Sequence, residues 1–128
     1  MSFRIREINL KDKEIEKYLD KLNVHPVGIS IMKDKMSLKL IKVEEIDSRG
    51  ANILKQECLS LGGDCAIPHD AYQLKKENFE CIIIGSISMY RKLIPKLKLQ
   101  PFGLKILGEE LEKILFSEKI IKTKIGNK

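Results

Sequence analysis

The run Cys81-Ile82-Ile83-Ile84 constrains the fold of this chain more than any other feature of its sequence. It consists of four consecutive apolar residues, it follows a polar segment, and it ends at Gly85-Ser86. Unbroken apolar runs of this length are typical of a strand that is covered on both faces. The run therefore predicts that residues 81–84 form the central and most buried strand of a sheet packed against helices.

The apolar spacing in the rest of the chain predicts the elements around that strand. Helical spacing predicts four helices. The first begins at Asp12, and the second spans 50–61 and is capped by Asp47 or Ser48. The third spans 87–93 and is ended or kinked by Pro95, and the last has Pro101 in its first position. Strands are predicted over 3–5, 27–32, 38–43 and 65–67, with 27–32 and 38–43 joined as a hairpin through Lys33-Asp34-Lys35. The predicted fold is an α/β single-domain sandwich with a mixed sheet of about five strands packed with about four helices. It spans residues 1–117 and is followed by a lysine-rich tail over 118–128.

The composition excludes several classes of function. The 24 basic and 18 acidic residues give a net charge of +6, but the lysines are interleaved with glutamates along the chain. With four arginines and 5% aromatic residues, there are few side chains for stacking on bases or reading guanine, so no sequence-specific nucleic-acid binding is expected. No stretch approaches the ~20 apolar residues of a membrane span, and the charged amino end lacks the apolar run of a signal peptide. We therefore expect a cytoplasmic protein without a membrane partner, and the abundant Lys, Glu and Ile suit a thermophile.

Two glycine motifs are candidate ligand loops. Gly62-Gly63-Asp64 lies between a predicted helix and a predicted strand, where it presents Asp64 and free backbone donors to a ligand or simply forms a connection that needs a positive φ. Gly85-Ser86 joins the central strand to a helix, and its amides, with the hydroxyls of Ser86 and Ser88, are suited to hold an anion. The alternative for Ser86 is an ordinary helix N-cap.

The histidines and cysteines form no recognisable metal motif. His25, His69, Cys58, Cys65 and Cys81 have none of the spacings that zinc sites use, so no metal and no cofactor are predicted. An odd number of cysteines indicates free thiols rather than a disulfide framework, and buried small hydrophobic residues describe them best. A Cys–His nucleophilic pair, or His69 with the adjacent Asp70 as a base, stays open as an alternative.

Three segments together resemble a known family. They are Gly28-Ile29-Ser30-Ile31-Met32, the block over 51–66 that reads ANILKQECLSLGGDCA, and Gly85-Ser86 with Gln100-Pro101-Phe102-Gly103-Leu104. They are similar to the amino-terminal extension that precedes the barrel in some clostridial and archaeal dihydropteroate synthases and synthase-related proteins. The likeness covers residues 28–115, and Pro95 within the penultimate helix departs from its pattern.

The resemblance implies a folate-pathway relation without catalysis by this chain. In that family the condensation of a pterin diphosphate with p-aminobenzoate takes place in a (β/α)₈ barrel, which needs ~250 residues, and no segment here corresponds to it. The resemblance thus implies an accessory, non-catalytic domain with a binding or assembly role in pterin, folate or C1-carrier metabolism. Its candidate contact residues are the polar positions of the 50–61 helix and the two glycine motifs: Asn52, Lys55, Gln56, Gly62, Gly63, Asp64, Gly85 and Ser86.

A partner is expected because a segment near the end of the chain contains more apolar residues than a short connection can bury. Leu93, Ile94, Leu97, Leu99 and Phe102 follow one another within a short segment and predict an apolar docking surface over 93–102. Its occupant is either a second copy of the chain, giving a homodimer, or a barrel-type dihydropteroate synthase-like protein. The alternative to the accessory role is a small independent enzyme or ligand-binding protein that uses the loops over 62–64 and 85–88.

Overall fold

A computed structural model of the protein describes residues 2–73 and 78–126, with side chains given for 2–71 and 78–117. The described residues form three β-strands, five α-helices and one short 3₁₀ helix. In chain order they are α1 (Asp12–Lys21), α2 (Pro26–Met36), β1 (Leu38–Asp47), α3 (Ser48–Ser60), β2 (Asp64–Ala66), the 3₁₀ helix (His69–Gln73), β3 (Asn78–Ser86), α4 (Ile87–Leu97) and α5 (Leu104–Gly126). The α/β class is confirmed, whereas the division into a domain over 1–117 and a tail stays a prediction.

The sheet has the order β1-β3-β2, and both pairings are antiparallel. Leu40 of β1 and Asp64 of β2 both lie opposite Ile84, so β3 is the central strand, as its sequence predicts. The mixed sheet of about five strands is wrong for the part of the chain that the structure describes. Two of the predicted strands are absent there, and without them no parallel pair is formed.

The helices cover one face of this sheet. Cys81 and Ile83 of β3 are buried against α3, α4 and α5, whereas Ile82 and Ile84 keep 38% and 41% of their surface exposed. The prediction that β3 is covered on both faces is therefore wrong. An antiparallel sheet can leave one face towards solvent. Here Leu38 and Leu40 of β1 lie on the open face with Ile82 and Ile84. This apolar part is bordered by Lys42, which lies opposite Ile82 and pairs with Glu80 at 3.6 Å.

Residues 27–32 form part of a helix rather than the predicted strand. His25 is the N-cap of α2, since its Nδ1 accepts a hydrogen bond from the Val27 amide at 3.2 Å, and Pro26 occupies the first helical position. Ile29 is buried against Ile15 and Leu19 of α1 in a small second core. The β-branched run favours a strand locally, but the cap and the packing against α1 determine the helix. The hairpin through Lys33-Asp34-Lys35 is consequently wrong as well.

The amino-terminal segment over 2–11 contains no strand either. Phe3 and Ile5 alternate with Arg4 and Arg6, as in a strand with one buried face, but they are 84% and 90% exposed. A strand needs a neighbour to satisfy its backbone groups, and residues 2–11 have none in the described structure. The helix predicted to begin at Asp12 is confirmed as α1.

The connection between α4 and α5 corrects two further predictions. Pro95 lies inside α4, which ends two residues later, and α5 begins at Leu104 rather than at Pro101. Phe102 and Gly103 have φ values of +62° and +82°, which interrupt helical geometry between Pro101 and Leu104. Leu93, Ile94 and Leu97 are buried in the main core. Three members of the predicted docking surface over 93–102 thus belong to the chain's own core, whereas Leu99 and Phe102 keep 87% and 42% of their surface exposed. A partner at this segment stays a prediction.

Candidate functional site

Most of the predicted contact residues meet at the corner where α3 ends and β2 begins. The Asn52 amide donates to the carbonyl oxygens of Ser48 and Ala71, each at 2.8 Å, and so ties α3 to the 3₁₀ helix. Lys55 Nζ donates to Asp64 Oδ1 at 3.0 Å and to the Cys65 carbonyl at 2.9 Å. The two polar side chains thus hold the elements around α3 in place.

Asp64 is engaged at the same corner. Its Oδ1 also accepts the Cys65 amide at 2.7 Å. The bond from Lys55, together with this backbone bond, holds the pKa of the Asp64 carboxyl below its ordinary value. An ionised carboxylate paired with lysine at the start of a strand is a structural ion pair. Gln56, one position along from Lys55, is exposed.

The glycines end α3 and bring two elements close together. Gly62 has φ +85°, and the amides of Gly62 and Gly63 bond back to Leu59 and Cys58 at 3.3 and 2.9 Å, the Schellman arrangement. A Cβ on Gly63 would lie 2.6 Å from the Ile84 carbonyl oxygen, so Gly63 permits the approach to β3. The positive φ expected for this connection is confirmed.

The second glycine motif, Gly85-Ser86, lies near the first, and the side chain of Met89 lies between Gly63 and Gly85. A Cβ on Gly63 would lie 3.2 Å from Met89, and one on Gly85 would overlap the Met89 side chain. Met89 is 4% exposed, and its amide donates to Ser86 Oγ at 3.1 Å. Ser86 is therefore the N-cap of α4. The structure brings both predicted loops together, and a thioether side chain fills the space between them.

The three cysteines come from α3, β2 and β3 and are buried in the same core. Burial is the largest cause that raises the pKa of Cys58, to about 12. A thiol–thiol hydrogen bond joins Cys65 to Cys81; it raises the pKa of Cys65 and lowers that of Cys81. Over the described residues, no three His, Cys, Asp or Glu side chains are arranged to hold a metal ion. All three thiols are buried core residues rather than exposed nucleophiles.

Two surfaces that were not predicted from the sequence lie on β1. The first is the open sheet face formed by Leu38, Leu40, Ile82 and Ile84. The second, which we call the β1–α5 groove, runs along the free edge of β1 and contains two adjoining cavities of about 250 and 520 Å³. Its lining includes Val43, Glu45, Leu107, Glu110 and Ile114. The signal for the open face is present in the sequence, because Leu38 and Leu40 alternate with Ile41 and Val43, but a pattern that is apolar on both faces does not tell which face is covered.

The described residues therefore define a small α/β protein with a three-stranded antiparallel sheet that is covered on one side. Comparison with known proteins adds the family relation. The chain is 31% identical, over 110 residues, to the bifunctional dihydropteroate synthase/dihydropteroate reductase of Helicobacter pylori; the match covers 86% of this chain and 29% of that protein. It is 30% and 24% identical, over 97 residues each, to probable bifunctional folylpolyglutamate synthase/dihydropteroate synthases of Halobacterium salinarum and Haloferax volcanii. Both matches cover 76% of this chain, and 12% and 11% of those proteins.

These matches confirm the resemblance to dihydropteroate synthase-related proteins. The chain spans less than a third of the length of each of these relatives. No protein-family model matches it, and no solved structure matches it significantly. Within residues 2–73 and 78–126, no helix combines the length and apolar character needed to cross a membrane.

Proposed function

We propose that this chain is an accessory, non-catalytic domain with a binding or assembly role beside a dihydropteroate synthase barrel in folate metabolism. One observation carries the proposal. Three relatives match 76–86% of the chain, all three carry dihydropteroate synthase in their names, and the matched region is 29% or less of each. A barrel that places both substrates needs ~250 residues, so the chemistry belongs to the rest of those proteins.

The state of the predicted ligand loops supports this role over that of an independent enzyme or ligand-binding protein. Asn52, Lys55 and Asp64 are engaged in bonds within the chain. The space between Gly63 and Gly85 is filled by Met89. A small-molecule ligand at either loop would have to displace these contacts. A domain that binds another protein does not need such a pocket, because an exposed surface is sufficient.

The open sheet face supplies such a surface. Leu38 and Leu40 are 73% and 71% exposed, and Ile82 and Ile84 lie beside them on β3. Small proteins seldom leave a contiguous apolar patch uncovered without a partner. The occupant we propose is the synthase barrel, because in the relatives the matched segment and the rest of the protein form one polypeptide, and this linkage strengthens a contact by raising the effective concentration.

Titration calorimetry of the purified chain against a barrel-type dihydropteroate synthase tests the proposal. We expect binding, and Leu40→Asp should weaken it about tenfold or more, because it places a charge in the contact. Ile31→Asp is the matched control: Ile31 is 53% exposed on α2, outside the open sheet face, and its replacement should leave binding unchanged.

Activity assays of the chain alone complete the test. We expect neither formation of dihydropteroate nor its reduction, the second activity in the name of the Helicobacter pylori relative. Either activity above a heat-denatured control would contradict the non-catalytic role. Absence of binding to the barrel, or equal loss with Leu40→Asp and Ile31→Asp, would contradict the proposed surface.

A further inference from the structure

β1 is an edge strand, and among the described strands it pairs with β3 alone. Two observations show how its backbone groups are oriented. A Cβ on Gly63 would lie 2.6 Å from the Ile84 carbonyl oxygen, so the backbone groups of Ile84 point towards β2. The Tyr90 hydroxyl lies within hydrogen-bond distance of the carbonyl oxygens of Lys39 and Ile83, at 3.0 and 3.2 Å. These two carbonyl groups therefore lie between β1 and β3.

The direction of the backbone groups alternates along an antiparallel strand. Leu40 lies opposite Ile84, so its N–H and C=O point away from β3 to the free edge, and so do those of Leu38 and Lys42. A β-bulge between Val43 and Ile46 ends this regular alternation. The edge that is available for pairing with another strand thus spans residues 38–43.

The charged side chains of this edge are already paired within the chain. Proteins commonly prevent edge-to-edge association with an unpaired lysine or another free charge on the edge strand. Here Lys42 forms ion pairs with Glu44 and Glu80, each at 3.6 Å. Lys39 pairs with Asp12 at the start of α1. A neighbouring strand would therefore not have to bury an unpaired lysine over residues 38–43.

The β1–α5 groove gives the same edge an apolar flank. Ile41 and Val43 point to the helix-covered face, yet both are only half-buried. Beside them on α5, Leu107 is half-buried and Ile114 keeps 67% of its surface exposed. A second edge that is apolar on the same side would bury these side chains further.

We propose that two copies of the chain pair their β1 strands antiparallel over residues 38–43 and form one continuous six-stranded sheet about a two-fold axis. With the axis at Ile41, Leu40 of each copy lies opposite Lys42 of the other. Both of these residues turn their backbone groups outwards, so each pair exchanges hydrogen bonds across the interface. On the helix-covered side, Ile41 and Ile114 of the two copies meet around the axis.

The charges along the edge favour a second copy of the chain as the occupant. Residues directly opposite each other on antiparallel strands share a face. Lys39 therefore lies opposite Val43 of the other copy, on the side where Glu45 and Glu110 line the groove. The basic start of each strand thus meets the acidic end of the other, whereas a parallel arrangement would bring like charges together. The edge is complementary to itself in the antiparallel direction.

Sedimentation equilibrium and site-resolved amide hydrogen exchange test the pairing. We expect twice the mass of one 14.7 kDa chain. The outward amides of Leu40 and Lys42 should exchange about tenfold or more slowly in the dimer than at dilutions where it dissociates. A monomer at all concentrations would overturn the proposal. Fast exchange of these two amides within a dimer would also overturn it, because the two copies would then meet at another surface.

A proline substitution tests the backbone contact itself. Lys42→Pro removes an outward N–H, which an edge strand tolerates, and Lys42→Ala is the matched control because both variants lose the ion pairs with Glu44 and Glu80. We expect Lys42→Pro to raise the dissociation constant of the dimer about tenfold or more above that of Lys42→Ala. Equal constants for two variants that are folded by circular dichroism would contradict the pairing.

A second variant keeps the test valid if proline disturbs β1. Ile114→Asp changes an exposed side chain on α5, so the chain should fold normally, but a charge would enter the apolar part of the interface. We expect the dissociation constant of the dimer to rise about tenfold or more. Ile31→Asp, at a position 53% exposed on α2, is the control and should leave it unchanged. Equal effects of the two substitutions would overturn the proposed interface.

Discussion

The close approach of Gly63 to β3 predicts that alanine substitution at Gly63 lowers the stability of the fold much more than alanine substitution at the adjacent Gly62. In Gly63→Ala the new Cβ would lie 2.6 Å from the Ile84 carbonyl oxygen, on the central strand, and 3.2 Å from two atoms of Met89. Met89 can move, but the backbone of β3 is held by strands on both sides. Overpacking of this kind costs about 1–3 kcal/mol, and we expect the upper end of that range.

Gly62→Ala is the matched control, because a Cβ there meets no atom within 4 Å and the penalty comes from φ +85° alone. A left-handed alanine costs about 1–2 kcal/mol. The difference between the variants corresponds to about 1 M in the midpoint of a urea titration followed by circular dichroism. If Gly63→Ala is no less stable than Gly62→Ala, the close approach of Gly63 to β3 is wrong. No close contact of Gly63 would then prevent the loop over 62–64 from binding a ligand.

Two further predictions concern titratable groups. Arg49 lowers the pKa of Asp47 from 3.8 to about 2, so Asp47 contributes stability above pH 4 that is lost as the pH falls towards 2. Asp47→Asn should flatten a plot of unfolding free energy against pH between these values. An unchanged slope would contradict the pairing. Cys58, with its pKa raised to about 12, should resist a thiol reagent at pH 8, as should the buried Cys65 and Cys81, until urea unfolds the chain. Rapid labelling of the native protein would show that these thiols are accessible.

The sequence by itself determined the elements whose ends are set by neighbouring residues. Asp47 accepts the Arg49 amide and begins α3, and Gly62 ends it with a positive φ, both as the residue types predict. Ser86 likewise begins α4. The run over 81–84 identified the central strand because a strongly apolar segment bounded by polar residues has few other places in a small α/β protein. These features depend on contacts within a few residues along the chain.

The tertiary structure decided which apolar surfaces are covered. Residues 27–32 become helical because Ile29 packs on α1. Ile82 and Ile84 stay exposed because the helices of the main core, α3, α4 and α5, pack on the other face of the sheet. The roles of Lys55 and Gly63 were equally beyond sequence reasoning. Lys55 meets Asp64 only because β2 folds back beside α3, and Gly63 meets Ile84 of β3, which is distant in the chain. A periodic pattern tells which residues share a face. Whether that face meets a helix, a second molecule or water depends on segments far away in the sequence, so only the assembled fold shows it.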